Sequence, residues 1–406
     1  MRKRVLFYFL CLLSSILSAL VVIIDTIASV YVEDIWIYAN LNFVIGTIVS
    51  FFIVLFFLIP VRGRPLGRYV DPNFYGIAMI RREHLKYFVG MAFGNAVATI
   101  GYFYIIAALM DPSAILPFMQ IVILYLVLGE VVFEKDIPTL VETQSLTMIV
   151  FGALLSSISP TGEFDVPAFI VVMTLINGGS TVKILVQRKL RTTKINKRRI
   201  DSINIRLWNL ALSTLFFLLM MAIMDPRSIV GMLQATEELI LITALSMIVT
   251  FFAKVTYIRA LGIGRASITQ AASSITVILG IPFTLIVGYF VPGVFVPFAT
   301  SHWTLLVKFI GTIMVSLGIA VLALSEVKSY ILIRASKGKG EAILKKISRI
   351  KGIISVSALA GIYDYIAKVK IRALGKGYRL IVRELEKVPG IEDFLWLSIL
   401  YEWEEI

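Results

Sequence analysis

Long apolar stretches alternate with short polar connections over roughly the first 325 residues of the chain. A helix needs about 20 predominantly apolar residues to cross the hydrocarbon core of a bilayer. Ten stretches come close to that length, so the pattern predicts an α-helical, polytopic membrane protein with ten transmembrane helices. The predicted spans cover roughly residues 5–30, 38–60, 84–109, 112–132, 142–159, 166–187, 205–224, 236–260, 266–290 and 303–325.

The pattern changes after residue 326, where short alternating and amphipathic segments replace the long apolar ones. In YIAKVKIR (365–372) the side chains alternate between two faces, which is typical of a half-buried strand. Strands and amphipathic helices follow in the order βαββαβ, which predicts an α+β, ferredoxin-like domain with both helices on one face of the sheet. The expected strands are 328–335, 354–359, 362–372 and 393–403, and the expected helices are 340–350 and 376–388.

The last predicted strand is apolar on both of its faces. A single-layer sheet should not expose such a face to water, so we expect a second copy of the chain to cover it, giving a homodimer through this domain. The apolar residues are Phe394, Leu395, Trp396, Leu397, Ile399 and Leu400. The chain is thus expected to comprise a transmembrane domain, 1–326, with halves of about 5–160 and 166–325, and a cytosolic domain, 327–406.

Composition and charge agree with a membrane location. Hydrophobic residues make up 58% of the 406 residues and charged residues only 16%, against about 25% in soluble domains. A net charge of +13 would suggest nucleic acid in a soluble protein. Here the basic residues concentrate in the second and sixth connections, at 62–86 and 188–199, so membrane topology accounts for them and no nucleic-acid partner is expected.

The same basic connections predict the orientation of the chain. Lys and Arg mark the cytoplasmic side, whereas the first connection carries Glu33 and Asp34 and the fifth carries Glu163 and Asp165. With an even number of spans, both termini of this multi-pass protein are expected in the cytoplasm, with the spans in the cell membrane. Binding of anionic lipid by the basic connections is the alternative interpretation.

Two stretches, 101–133 and 253–285, share one plan: a helix, a turn of a few residues, then a helix rich in small residues. At an offset of 152, Ile106, Ala108, Leu109, Ala114 and Ile123 align with Ile258, Ala260, Leu261, Ala266 and Ile275. The stretches lie in spans 3–4 and 8–9, which implies two halves of five spans each. Because five is odd, the halves enter the membrane from opposite sides, and such inverted repeats place a substrate site near the bilayer midplane.

The stretch AALMDPSAILPFMQIVILYLVLGEVVF (107–133) resembles the third and fourth helices of the drug/metabolite transporter superfamily, EamA type. The short turn Pro112-Ser113-Ala114, the helix proline Pro117 and the closing pair Gly129-Glu130 carry the resemblance, together with VKILVQRKLRTT at the end of span 6. The second half departs from the pattern, with Ile281-Pro282 where a second Gly-Glu would stand. Over about residues 5–325, the resemblance implies a ten-helix carrier that moves small metabolites, often outward, without ATP hydrolysis.

Polar residues within the predicted spans are the candidates for substrate binding. Ionisable groups at the bilayer centre are costly and usually face protein or water. The proposed substrate-binding residues are Asn95, Tyr102, Gln120, Asn177, Lys254 and Gln270. Packing between helices, or snorkelling in the case of Lys254, is the alternative role for each of them. Asp25, Lys183 and Glu130 are further ionisable residues for which contact with water, snorkelling or a structural contact is the preferred interpretation.

No catalytic constellation is visible in the sequence. The chain has no Gly-x-x-x-x-Gly-Lys-Ser/Thr run for a nucleotide phosphate, and its one cysteine, Cys11, cannot form an internal disulfide. We therefore expect no enzymatic activity, no cofactor and no metal site.

The tail resembles the effector-binding domain of the leucine-responsive regulator/AsnC family, also called the RAM domain. The matching segments are YILIRASKGKGEAILKKI (330–347), IKGIISVSALAGIYDYIAKVKI (350–371) and LEKVPGIEDFLWLSIL (385–400). The resemblance implies dimerisation and sensing of a small ligand, often an amino acid, with Gly361 and Asp364 as effector-binding candidates. A turn that merely connects two strands is the other interpretation of these residues.

Together these observations predict a secondary carrier for small polar metabolites, of which amino acids or related compounds are the first candidates, regulated by a cytosolic sensing domain. Three alternatives stay open: a membrane receptor that does not transport, an enzyme acting on lipids, and a carrier whose tail serves only to dimerise.

Overall fold

The computed structural model of the chain describes residues 3–134, 140–158, 165–195, 198–290, 302–324, 327–336, 340–350, 352–371 and 381–398. The chain divides into two compact units. The larger, here the helical unit, comprises Met1–Ile137 and Ser145–Ile319, and the smaller, here the sheet unit, comprises Pro138–Gln144 and Ala320–Ile406. The sequence predictions for Glu163, Ile399, Leu400 and residues 376–380 lie outside the described residues.

Helices account for most of the chain before residue 325. They are α1 Lys3–Ser29, α2 Ile35–Phe57, α3 Gly67–Val70, α4 Arg82–Leu109, α5 Pro112–Phe118, α6 Val122–Glu134, α7 Leu140–Ser156, α8 Val166–Val171, α9 Asn177–Thr192, α10 Ser202–Met224, α11 Pro226–Met232, α12 Glu237–Leu261, α13 Ala266–Ser273, α14 Ile275–Phe290 and α15 His302–Leu324. A 3-10 turn, Met119–Ile121, links α5 to α6, and a π-helical segment, Val172–Ile176, links α8 to α9. Two short hairpins pair β1 Pro60–Val61 with β2 Arg64–Pro65 and β3 Lys194–Ile195 with β4 Arg198–Arg199.

Within the described ranges, eight helices are long and apolar enough to cross a membrane. A ninth crossing results if Ala266–Gly280 and Pro282–Phe290, which meet at an angle of 41°, form one span. The proline explains the bend, because it lacks the N–H of a regular helical hydrogen bond and its ring clashes with the preceding turn. Thr143–Ser156 is a shorter apolar helix. A largely helical architecture with long apolar spans is confirmed, and ten complete spans stay a prediction.

Helices that are distant in sequence pack together in the helical unit. α1 packs against α12, α4 against α9 and α10, and α2 against α10 and α12. Glycines permit the closest approaches. A Cβ added at Gly94 would lie 2.7 Å from the Gly179 carbonyl oxygen, and one at Gly152 would lie 2.6 Å from the Gly311 carbonyl oxygen. A larger residue would therefore separate these helices, which is the usual reason for small residues at membrane helix contacts.

The sheet unit contains four strands, β5 Val327–Ala335, β6 Ile353–Ala358, β7 Tyr365–Ile371 and β8 Ile391–Ser398, and a helix, α16 Gly340–Ile347. Residues 381–386 are also helical. The strands lie in the order β6-β7-β5-β8, and every neighbouring pair is antiparallel. Ile331, at the centre of β5, pairs with Ala367 on one side and Trp396 on the other.

One face of this sheet forms the core of the unit with the helices. Ile331 and Ile333 are fully buried against Ile343 of α16 and Leu385. The period of two predicted for β7 is confirmed, because Tyr365, Ala367 and Val369 are all buried. In β8 the alternation is also regular. Phe394 and Trp396 pack on the core, whereas Leu395 and Leu397 are 45% and 43% exposed on the opposite face.

Candidate functional site: a polar cavity in the helical unit

A cavity of about 200 Å³ lies between the helices of the helical unit. Side chains from α1, α2, α4, α9, α10, α12, α13 and the Met119–Ile121 turn line it. Its polar residues are Ser14, Ser15, Ser18, Asp25, Asn42, Asn95, Thr99, Tyr102, Gln120, Ser180, Lys183, Gln187, Arg206, Asn209, Thr250, Lys254, Tyr257, Gln270, Ser273 and Thr276. A polar interior inside an apolar helical shell is the arrangement that a solute site in a membrane requires.

Two glutamines form a hydrogen-bonded pair on one wall of the cavity. Gln270 Nε2 donates to Gln120 Oε1 over 2.9 Å, and Gln120 Nε2 donates to Thr276 Oγ1 over 3.0 Å. Tyr257 completes the chain by donating its hydroxyl to Gln270 Oε1 over 2.6 Å. Gln120 lies on the 3-10 turn that interrupts the helix after Pro117. These hydrogen bonds fix the orientation of both amides, so the wall presents a defined set of donors and acceptors.

Asp25 forms a second polar centre, and hydroxyl groups are its hydrogen-bond donors in the described structure. The side chain is 2% exposed. Oδ1 accepts from the Tyr38 hydroxyl at 2.7 Å and from Ser246 Oγ at 2.6 Å, and Oδ2 accepts from the Tyr102 hydroxyl at 2.7 Å. Three donors from three different helices satisfy the two carboxylate oxygens. The sequence had suggested that Asp25 simply touches water near the end of α1; the structure instead buries it deep between helices.

Three basic side chains, Lys183, Arg206 and Lys254, face the same cavity from α9, α10 and α12. Arg206 is 4% exposed, and its Nε has no hydrogen-bond partner within the described part of the chain. Neither lysine has a hydrogen bond or ion pair to any residue that the structure describes. Asp25 is the acidic residue of the described lining, so basic side chains there outnumber acidic ones by three to one.

The six residues predicted to bind substrate do not all lie in this cavity. Five of them line it: Asn95, Tyr102, Gln120, Lys254 and Gln270. Asn177 is fully buried outside the lining, with its Nδ2 3.7 Å from the sulfur of Met173. Its role in substrate binding therefore stays a prediction that no contact supports.

Arg206 is the main residue that sequence reasoning missed. The span was predicted to begin at residue 205, which made an arginine at its second position look interfacial, whereas α10 begins at Ser202. A signal was present in the spacing, because Arg206, Asn209 and Ser213 recur at the intervals of one helical face and all three are buried. Ser213 accepts a hydrogen bond from Asn95 over 3.1 Å.

A separate network of buried charges joins α9 and α10 outside the cavity. Arg191 Nη2 lies 2.8 Å from Asp71 Oδ2, which also accepts hydrogen bonds from the backbone N–H and the hydroxyl of Ser202. Burial alone would raise the pKa of Asp71, but the Arg191 guanidinium and the Ser202 donors outweigh it and lower the pKa. Neighbouring Asp201 has no ion pair among the described residues, and burial raises its pKa to about 6 against hydrogen bonds from Asn204.

Two further paired charges connect helices. Lys308 of α15 is 1% exposed, and its Nζ lies 3.1 Å from Asp111 Oδ2 and 2.8 Å from Ser113 Oγ. Glu130, in the closing Gly-Glu pair, accepts from the Ser267 backbone N–H at 3.2 Å and lies 3.7 Å from Arg188. The first contact joins α15 to α5, and the second joins α6 to α9 and α13. They are consistent with the structural interpretation of Glu130.

The two effector-binding candidates lie in the turn between β6 and β7. Asp364 Oδ2 accepts from the Ala335 backbone N–H over 2.7 Å, and the Asp364 N–H donates to the Ile333 carbonyl over 3.0 Å. Asp364 therefore attaches the turn to the end of β5. Gly361 is exposed, and a Cβ there would meet no atom within 4 Å. Their binding of an effector stays a prediction.

Comparison with known proteins identifies the tail. Residues 328–400 match a family model described as the Lrp/AsnC ligand binding domain, so the resemblance predicted for this part of the chain is confirmed. No curated protein matches the chain.

Similar solved structures add little to this. The crystal structure of TTHA0845 from Thermus thermophilus is 18% identical, covering 20% of this chain and 99% of that chain, with a TM-score of 0.19. A second crystal structure, described only as that of a protein, is 13% identical, covering 77% of this chain and 98% of that chain, with a TM-score of 0.47. At these scores neither likeness supports a conclusion. The chain thus joins a set of long apolar helices to a C-terminal ligand-binding domain of the Lrp/AsnC type.

Proposed function

We propose that the helical unit is a secondary transporter of a small polar metabolite, with amino acids and related compounds as first candidates and export as the expected direction. The polar cavity inside apolar helices carries this proposal. Its lining comes from both halves of the chain, including Asp25, Tyr102 and Gln120 from the first and Lys254 and Gln270 from the second. We propose no catalytic activity for it.

The proposed architecture is ten spans in two inverted halves of five. Supporting it, the contacts between helices recur when the halves are exchanged. The first spans of the halves are α1 and the α8–α9 helix, and the third spans are α4 and α12, so the contact of α1 with α12 corresponds to that of α9 with α4. The contact of α2 with α12 likewise corresponds to that of α10 with α4. Gln120 and Gln270, in the fourth spans, hydrogen-bond to each other. Such a relation suits a carrier that opens alternately to its two sides.

We further propose a cell-membrane location with both termini in the cytoplasm. The basic residues of the second and sixth connections support this orientation, because Lys and Arg are retained on the cytoplasmic side. Cysteine labelling of intact cells at exposed positions such as Arg62 and Arg227 provides the test. Arg227, in the seventh connection, should react with an impermeant reagent from outside, and Arg62 should not.

For the tail we propose a ferredoxin-like sensing domain that dimerises. The antiparallel order β6-β7-β5-β8 supports that fold. The outer face of the sheet supports dimerisation, because Leu332 is flanked across the strands by Leu395 and Ile366, and the exposed Leu395 and Leu397 leave apolar surface in water. The Lrp/AsnC family match supports ligand sensing. A ligand that prefers one state of the carrier would then shift the transport equilibrium.

Transport is tested with the purified full-length chain in proteoliposomes. Counterflow of a radiolabelled panel of amino acids and organic acids should show flux of at least one compound above empty liposomes. A Gln120→Leu variant removes the amide pair from the cavity wall and should abolish that flux, while Gln234→Leu, outside the cavity lining, should not. If no compound of the panel shows flux, the transporter proposal is wrong.

The family match to a ligand-binding domain also favours a second function, that of a receptor that does not transport. Saturable ligand binding by the full chain with no counterflow would select this alternative. Calorimetry of the full chain and of its Asp364→Ala variant with the amino-acid panel tests the sensing role. If the wild type and the Asp364→Ala variant give identical titration curves, the tail serves only as a dimerising element.

A further inference from the structure

Among the ionisable side chains of the lining, the three basic residues differ from Asp25 and the tyrosines. Asp25 and the tyrosines have hydrogen-bond partners, as described above, whereas Lys183, Arg206 and Lys254 have none among the described residues. The three side chains are also within electrostatic range of one another, because Arg206 acts on both lysines and Lys254 acts on Lys183. Asp25 also acts on Lys254, with the opposite sign. A negatively charged ligand among the three basic groups would compensate their mutual repulsion.

Asp25 does not supply that compensation by direct contact. Its two oxygens are already occupied by three hydroxyl donors, and no ion pair joins it to Lys254 in the described structure. For the same reason Asp25 offers little to a ligand: an ammonium group entering the cavity would have to displace a hydroxyl to reach a carboxylate oxygen. The cavity is therefore equipped for negative groups and poorly equipped for positive ones.

We propose that the solute of this cavity is a small organic anion, whose carboxylate or phosphate groups bind Arg206 with the help of Lys183 and Lys254. The inference rests on the proposed transport function and narrows its substrate class. Arg206 provides planar, paired N–H donors that match a carboxylate or phosphate, and the lysines act as point charges.

Matched pairs of ligands that differ in charge test the proposal on the purified full-length chain. Succinate is compared with succinamide and glycerol 3-phosphate with glycerol, with thermal unfolding and calorimetry as readouts. At least one anion is expected to raise the unfolding temperature and its neutral counterpart to leave it unchanged, because a ligand stabilises the state that binds it. The succinate and glycerol 3-phosphate arms distinguish carboxylate from phosphate as the preferred group.

Variants assign the binding to the cavity. Arg206→Gln should lower the affinity for the anion by about 10- to 100-fold, as expected for the loss of one charge-assisted contact. Arg227→Gln removes an exposed charge far from the cavity lining and should leave the affinity unchanged. Without ligand, Arg206→Gln should unfold at the same or a higher temperature than the wild type, since it removes an uncompensated buried charge. That measurement also excludes misfolding as the cause of lost binding.

The outcomes separate this inference from the transport proposal. Equal binding of the charged and neutral member of every pair, or unchanged anion affinity in Arg206→Gln, would overturn the anion site. Counterflow of neutral amino acids that is insensitive to Arg206→Gln would also overturn it, while leaving transport intact. Anion binding lost in Arg206→Gln but without flux in proteoliposomes would keep the site and remove the transporter.

Discussion

Two groups of basic residues in the helical unit have opposite surroundings. Arg191 and Lys308 are each held against a carboxylate, Asp71 and Asp111 respectively, at 2.8 and 3.1 Å. Arg206 and Lys254 line a cavity and have no such partner in the described structure. Both groups remove charge from water, which costs several kcal/mol per ion. In the first group a contacting carboxylate offsets that cost, whereas in the second no carboxylate makes contact within the described chain.

The difference separates structural charges from charges that await a ligand. The paired cations join elements distant in sequence: Arg191 connects α9 to the segment around Asp71, and Lys308 connects α15 to the start of α5. Their removal should damage the fold. Removal of the unpaired cations should damage binding and spare the fold. Substitutions at the paired charges and at two buried acids test this contrast, from the largest expected effect to the smallest.

Arg191→Leu should produce the largest loss of stability. It leaves the carboxylate of Asp71 fully buried without its ion-pair partner, and breaking such a pair typically costs about 3–5 kcal/mol. Urea unfolding of the detergent-solubilised protein measures the change, with Arg227→Gln as the exposed control. A variant within about 1 kcal/mol of the wild type, the range of exposed ion pairs, would place Arg191 among charges that do not support the fold.

Lys308→Met should cost somewhat less, about 3 kcal/mol, because Asp111 keeps the hydrogen bonds from the Ser113 N–H and hydroxyl. The double variant Asp111→Asn/Lys308→Met should recover part of that loss, since the remaining amide is neutral and still caps α5. The coupling measured by this cycle should lie between about 0.5 and 3 kcal/mol. Strict additivity of the two changes would show that the pair contributes nothing as a pair.

The neighbouring carboxylates Asp71 and Asp201 differ in the same way, because their contributions to stability depend on pH in opposite directions. Burial raises the pKa of Asp201 from 3.8 to about 6, so its folded form binds a proton more tightly than its unfolded form. The stability it contributes is present below about pH 4 and is lost as the pH rises through about 6, by roughly 2–3 kcal/mol. Asp71, whose pKa is lowered from 3.8, contributes stability with the opposite pH dependence. That contribution is present above about pH 3.8 and is lost as the pH falls further.

Asp201→Asn isolates this effect. Asparagine can still accept the Asn204 N–H bond at the start of α10, but it does not titrate. The stability of the wild type relative to this variant should therefore fall between pH 4 and pH 7, as followed by thermal unfolding. Parallel pH profiles for the two proteins would contradict the raised pKa.

Much of the fold follows from the sequence because its signals are long or strictly periodic. The third span was predicted at 84–109 and is Arg82–Leu109, and a strand with a period of two was predicted where β7 lies. The π-helical segment Val172–Ile176 was not predicted, and neither was the 3-10 turn Met119–Ile121. Such irregularities depend on the fit of one helix against its neighbours, which leaves no period in the local sequence.

The cavity could be predicted only in part, for a related reason. Polar residues such as Gln120 and Gln270 are conspicuous in apolar spans, and both line the cavity. Arg206 was missed because a charge near the end of a span is ordinarily interfacial, and its true depth depends on where α10 begins. Asp25 could not be recognised as satisfied, because its three hydroxyl donors come from residues 13 to 221 positions away.

Tyr102→Phe tests whether the Tyr102 hydroxyl holds Asp25, the acid that faces the unpaired basic residues. Its effect on stability should be the smallest of those predicted. The substitution keeps the ring but removes one of three hydroxyl donors to Asp25, which should cost about 1 kcal/mol, the usual net contribution of one hydrogen bond. Tyr104→Phe is the matched control, since Tyr104 lies on the same helix, is 37% exposed and is outside the cavity lining. It should change stability by less than about 0.5 kcal/mol. If both variants behave alike, the Tyr102 hydroxyl does not hold Asp25. The carboxylate would then be available to the cavity, and the sharp contrast between its satisfied acid and its unpaired cations would be lost.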